Sequence, residues 1–258
     1  CGMLGCSDST RSSQNQRAQE VIQNLQTNIA RLREEGRFAE AVPLLDDLLK
    51  QSANTFSSQS TNLALVLGFT GEVFALAGNY ERATNCFVEG INILQKALGP
   101  KHPETLVMWE GLGYTFAASG ATDQAVGVFG NLVEAYESQH GREAVQVVPY
   151  LNELAAQFLA QGKDASAEPL LRRSMHISER EFGSEHPQTS VPMKLLAEIC
   201  LLRGAHAEAA SLLTKCLLIS EKHGEGQSGE AADTMLRLGK AKFNMGEFGP
   251  AERSEEHT

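Results

Sequence analysis

Apolar positions along the chain fall at helical spacing, and the same spacing returns on a fixed longer period. Stepping by 42 residues from Gly36 lands on Gly78, Gly120, Gly162, Gly204 and Gly246. Five residues after each comes alanine: Ala41, Ala83, Ala125, Ala167, Ala209 and Ala251. Eleven before each glycine lie Leu25, Leu67, Trp109, Leu151, Met193 and Met235. Seven before lie the mostly small Ile29, Gly71, Gly113, Ala155, Ala197 and Gly239, and four before lie Leu32, Phe74, Phe116, Phe158, Cys200 and Lys242. Offsets that step by four and then three trace one stripe on a helix. After the glycine, Leu45, Phe87, Phe129, Leu171 and Leu213 sit at +9, and Leu49, Ile91, Val133, Met175 and Leu217 at +13, a second stripe. The unit is therefore helix A, a turn at the glycine, helix B and a linker. No useful length of β-type alternation appears, so the fold class is all-α. The recurring glycine suits a tight turn with positive φ. Small residues at −7 and +5 let helices A and B approach closely.

Period alone leaves several helical repeats open, since units of roughly 40–47 residues also fit HEAT or armadillo arrays. The residue types decide. Trp109, Leu112, Gly113, Phe116, Gly120, Ala125 and Phe129 resemble the tetratricopeptide repeat, with longer helices than its usual unit. The 42-residue version is similar to the repeats of kinesin light chain and of many bacterial proteins. The linkers Leu98-Gly99-Pro100-Lys101-His102-Pro103-Glu104-Thr105 and Phe182-Gly183-Ser184-Glu185-His186-Pro187-Gln188-Thr189 carry the same resemblance. So do Ala41-Val42-Pro43-Leu44-Leu45 and Ala167-Glu168-Pro169-Leu170-Leu171. It implies a solenoid, a right-handed superhelix of antiparallel helix pairs. The array covers residues 16–252, about five full pairs plus a truncated sixth. It departs from the pattern at Ala144-Val145, which lacks the His-Pro step, and at the degenerate linker Gly224 to Gly229.

Composition narrows the function classes. The 32 Asp+Glu outnumber the 22 Lys+Arg, for a net charge of −10. That balance argues against nucleic acid, whose binding needs Lys and Arg against phosphates. The longest uncharged stretch, Gln51 to Gly71, is broken by polar residues and does not make a transmembrane segment. Five cysteines do not make a disulfide scaffold.

Chemistry-bearing motifs are weak. Gly224-Glu225-Gly226-Gln227-Ser228-Gly229 spells G-x-G-x-x-G, but helix B precedes it where the dinucleotide fingerprint needs a strand. His102 and His186 share one phase before Pro, which points to turn geometry rather than a metal pair. Cys86, Cys200 and Cys216 fall on or beside the apolar stripes and read as small buried hydrophobes. No nucleophile has a supporting motif, so catalytic residues, cofactors and metals are all expected to be absent.

The expected function is a non-catalytic, cytoplasmic scaffold that binds a partner peptide or domain in its concave groove. In stacked helix pairs the A helices line that side. Off-stripe A-helix residues give the candidates Glu72, Glu110, Tyr114, Asn152, Lys194, Glu198, Arg237 and Lys240, with Glu153 beside them. Asn152 matches an asparagine that kinesin-light-chain-like repeats use on a peptide backbone, though Gln26, Gly68, Glu110, Lys194 and Leu236 break any ladder of them. The candidates are mostly acidic or apolar early and more basic late. A peptide with a basic or apolar part toward the N-terminal half and an acidic part toward the C-terminal half is therefore expected. Two other readings stand beside the scaffold: an envelope lipoprotein anchored at Cys1 or Cys6, and the regulatory repeats of a larger enzyme such as a kinase or ATPase. Residues 1–15 read as a disordered lead-in and 253–258 as a non-native tail, with Met235 and Phe243 left exposed.

Overall fold

The structure, a computed structural model, describes residues 5–226 and 228–246, with side chains from residue 15 onward. It has helices α1 (Gly5–Glu34), α2 (Phe38–Thr55), α3 (Thr61–Leu76), α4 (Tyr80–Ala97), α5 (Pro103–Ala118) and α6 (Thr122–His140). A 3₁₀ turn (Val145–Val147) precedes α7 (Val148–Ala160), α8 (Asp164–Phe182), α9 (Pro187–Leu202), α10 (His206–Lys222) and α11 (Gly229–Asn244). Odd-numbered helices are the A helices and even-numbered the B helices. Among the described residues there is no strand. The expected lead-in is drawn as helix from Gly5 on; between Cys6 and Glu34 no Pro or Gly stops α1. The expected non-native tail lies outside the described residues, and Met235 and Phe243 are exposed.

Each A helix ends in the same way. Gly78 has φ +78°, and its counterparts Gly36, Gly120, Gly162, Gly204 and Gly246 fall between +69° and +77°. The amide after the glycine bonds back five residues: Asn79 N–H to Phe74 O at 2.8 Å, and likewise Arg37 to Leu32, Ala121 to Phe116, Lys163 to Phe158 and Ala205 to Cys200. With the Gly78 N–H to Ala75 O bond at 3.0 Å this is a Schellman cap, which needs a left-handed residue at that point.

The linkers explain the His-Pro motif. His102 Nδ1 accepts from Glu104 N–H at 3.3 Å, and His186 Nδ1 from Gln188 N–H at 3.2 Å. Both histidines are N-caps, with Pro103 and Pro187 at the first helical position. Thr105 Oγ1 donates to Gly99 O and Thr189 Oγ1 to Gly183 O, each at 2.9 Å, tying the linker to its helix. Ser60 and Ser228 take the cap at the same phase. Ala144 offers no side-chain cap, and there the chain runs through the 3₁₀ turn into the short α7.

Two compact units divide the chain, Cys1–Val128 and Phe129–Thr258. In the first, α1 packs on α2, α2 on α3, α3 on α4 and α4 on α5; α3 also touches α5. In the second, α7 packs on α8, α8 on α9, α9 on α10 and α10 on α11; α7 also touches α9. The five described alanines at +5 are fully buried. On the B helices the structure adds a row that the sequence reading did not name. A buried row lies at +12 (Leu48, Leu132, Ser174, Cys216), beside the +13 row, of which Ile91 and Val133 are buried and Leu49, Met175 and Leu217 half-buried. Steps of four, three and four from +5 through +9, +12 and +16 follow the 3.6-residue turn along the A-helix contact.

Candidate binding surface

The second unit presents a trough along its A helices. Two adjoining cavities of about 330 and 420 Å³ lie across α7, α9 and α11. Both are lined by Asn152 and Glu153 of α7, Val191 and Lys194 of α9, and Glu230 of α11. Ala156 and Leu195 extend the apolar floor, and Glu198, Asp233 and Arg237 line one end. These side chains meet because they share a face: offsets −6, −10 and −13 from the turn glycine again step by four and three.

Charges in the trough are paired across helices. Lys194 of α9 bonds Glu230 of α11. Arg237 of α11 reaches Glu198 of α9 at 3.1 Å and Asp233 on its own helix at 2.7 Å. Partial burial works against the Arg237 charge, but Glu198 and Asp233 outweigh it and raise its pKa. The trough thus holds five carboxylates, Glu153, Glu198, Glu225, Glu230 and Asp233, against two cations, Lys194 and Arg237. Two of the three late cations expected to attract an acidic peptide, Lys194 and Arg237, are already engaged.

Asn152 is a core residue with one edge on the trough. It is 7% exposed, and its Oδ1 accepts from Ser174 Oγ of α8 at 2.6 Å. Lys240 is exposed on α11 outside the cavity lining. In the first unit, Glu72 of α3 pairs with Arg33 of α1 at 3.0 Å, while Glu110 and the exposed Tyr114 lie on α5. The structure therefore brings together Asn152, Lys194, Glu198 and Arg237, and places Glu72, Glu110 and Tyr114 on the other unit. Sequence reasoning missed Val191, Glu230 and Asp233. The −13 phase, which holds Pro149, Val191 and Asp233, would have found two of them.

Other candidate chemistry resolves into structure. The Cys86 and Cys216 thiols are pushed up to about 11 by burial, and the Cys200 thiol is raised for the same first cause. Cys216 also donates to Ser190 O at 3.6 Å. Such thiols stay protonated and behave as small apolar groups. Gly224 follows the end of α10 with φ +78°, and Ser228 caps α11, so the glycine-rich linker joins two helices. Among the described residues, no cluster of three or more His, Cys, Asp or Glu is placed to hold a metal, and no helix is long and apolar enough to cross a membrane.

The comparisons with known proteins agree with this architecture. Tetratricopeptide-repeat family models match residues 147–222 and 71–104. No curated protein matches the sequence. The fold is similar to that of the kinesin light chain with nearly identical TPR-like repeats from Podosopora anserina. That chain is 23% identical with a TM-score of 0.69, over 78% of this chain and 96% of the other. It is also similar to BtubC (BKLC) from P. vanneervenii, at 17% identity and a TM-score of 0.65, over 90% of this chain and 87% of the other. Such repeats imply protein partners and support an interaction scaffold in general, a class that is typically non-catalytic. By its two matched segments, its period and its fold, the chain carries tetratricopeptide repeats, in a fold similar to that of kinesin light chain-like repeat proteins.

Proposed function

We propose that this chain is a non-catalytic scaffold that holds an extended segment of a partner protein in the trough of α7, α9 and α11. The observation that carries the reading is that A helices of three successive repeats share one trough with an apolar floor and charged walls. Asn152, Lys194, Glu198 and Arg237 are its contacts, with Lys240 beyond its edge. Glu72, Glu110 and Tyr114 are the corresponding contacts on α3 and α5. The excess of carboxylates favours a segment carrying Lys or Arg over the acidic one expected from sequence. Three buried free cysteines suit a reducing, cytoplasmic compartment.

The test is selection of peptides from a random display library, followed by binding to two surface variants. Val191→Arg puts a long cation on the trough floor, at a position 42% exposed and so tolerant of the change. Leu218→Arg does the same on α10, at a position 59% exposed and outside the trough. Selected peptides should be enriched in basic residues, and V191R should weaken them by about tenfold or more while L218R leaves them unchanged. Equal binding to V191R would sink the reading.

A further inference from the structure

A second opening lies on the first unit, apart from the trough. It measures about 290 Å³, between α2 and α4 and over α3. Leu49, Leu63, Leu67 and Phe74 form an apolar floor, and Arg82 and Glu89 stand at the rim. The register explains why it is open. At the phase of Cys86 the other repeats carry Leu44, Val128, Leu170 and Leu212. At the phase of Ala53 they carry Gln95, Glu137, Glu179 and Glu221. In the second unit's corresponding joint, Leu212 packs against both neighbouring core clusters. Two small residues in the first unit leave that place unfilled.

We propose that this joint is a docking site for a partner segment that inserts a branched aliphatic side chain beside a Lys or Arg. The aliphatic class follows from what the repeat itself seats there, Leu212 in the second unit. The cation follows from the rim. Arg82 is committed: its guanidinium lies 4.0 Å over the Phe74 ring and pairs with Asp46. Glu89 is exposed and makes no ion pair among the described residues, so the complementary charge is positive. The buried Cys86 thiol stays protonated near neutrality, which makes it part of the apolar floor rather than a nucleophile or metal ligand.

The test uses short capped helical peptides that place Leu and Lys on one face, with Leu→Ser and Lys→Glu counterparts. Binding is read from methyl NMR shifts of Leu49, Leu63 and Leu67 in the full chain. The Leu/Lys peptide should shift these methyls, and both counterparts should fail to. Cys86→Leu restores the residue type of the other repeats, Ala53→Gln covers the opening from an exposed position should C86L misfold, and Glu89→Lys reverses the rim. Each should weaken the peptide by about tenfold, while V191R in the trough leaves it unchanged. Absence of binding, equal binding to the Leu→Ser peptide, or indifference to C86L and A53Q would overturn the proposal. So would loss of binding in V191R alone, which moves the peptide to the trough. A dimer of the chain that C86L dissolves would overturn it too, by making a second copy the occupant.

Discussion

The two units use one repeat and hold it together differently. In the first, large side chains sit in niches made by glycine. The Phe87 ring packs tightly against the place a Cβ would take, 3.1 Å from it at Gly71 and 2.4 Å at Gly111. Met108 lies likewise against Gly68 and Gly90, at 2.6 and 3.2 Å. In the second, the −7 phase of Gly71 carries Ala155 and Ala197, fully buried in clusters with Leu171, Leu196, Leu213 and Ile199, and Gly239, against which no large side chain packs among the described residues. At the phase of Gly111 it carries Glu153 and Leu195, which line the trough. The first unit thus gives groove-phase positions to packing, and the second keeps them for its surface. The period sets the backbone; how each joint is filled is a local choice among volumes that reach interior density.

The sharpest way to break this comparison is Gly111→Ala. Its new Cβ would overlap the Phe87 ring, with Cζ only 2.5 Å away, and Phe87 is buried among α3, α4 and α5. Overpacking of this kind should cost about 1–3 kcal/mol. Gly127→Ala is the control. Gly127 is helical and at least partly exposed, at a phase where Asn85 and Ser211 are also exposed, so alanine should add about 0.5–1 kcal/mol. Denaturant unfolding with hydrogen-exchange readout on α3–α5 measures both. A neutral Gly111→Ala would mean that the niche is not a packing constraint.

These contrasts show what the sequence made legible. Period, turn glycine, helix order and the +5 alanines were readable because backbone caps and the A–B contact demand one residue type at one phase. The trough was legible where its residues fell on the phases followed, as Lys194 and Arg237 did. Its charge was not, because Glu230 and Asp233 belong to the next repeat, and the Lys194–Glu230 and Arg237–Glu198 pairs form only through stacking. The opening at Cys86 was not legible either. A small residue at an apolar phase reads as core until the neighbour fails to fill the space.

The caps give the next contrast. His102 caps α5 through Nδ1, whereas Ala144 caps nothing before the 3₁₀ turn and α7. His102→Ala should cost about 1 kcal/mol, and His102→Ser close to nothing, because Ser60 and Ser228 cap at that phase. In the second unit Ala144→Ser should add about 0.5–1 kcal/mol, since its backbone is already extended (φ −77°, ψ 141°) like that of Ser60. Thermal melts measure all three. A gain from A144S equal to the loss from H102A would show that the missing cap alone separates the two linkers.

The smallest expected effect concerns the ion pairs between repeats. In the second unit Arg203 of the α9 C-cap reaches Asp164 at 2.7 Å and Glu168 at 2.5 Å, both on α8. Its hydrogen bonds are the first cause holding both carboxyls below their ordinary values. Lowered carboxylate pKa values contribute stability at pH above the unfolded value, and that contribution is lost as pH falls through the folded one. Arg203→Gln should therefore lower the melting temperature slightly at neutral pH, and the gap should close below about pH 4, where the unfolded carboxyls take up protons. The groups are exposed, so added salt should shrink the neutral-pH gap as well. A gap that persists at acid pH would assign the role of Arg203 to packing of its aliphatic stem.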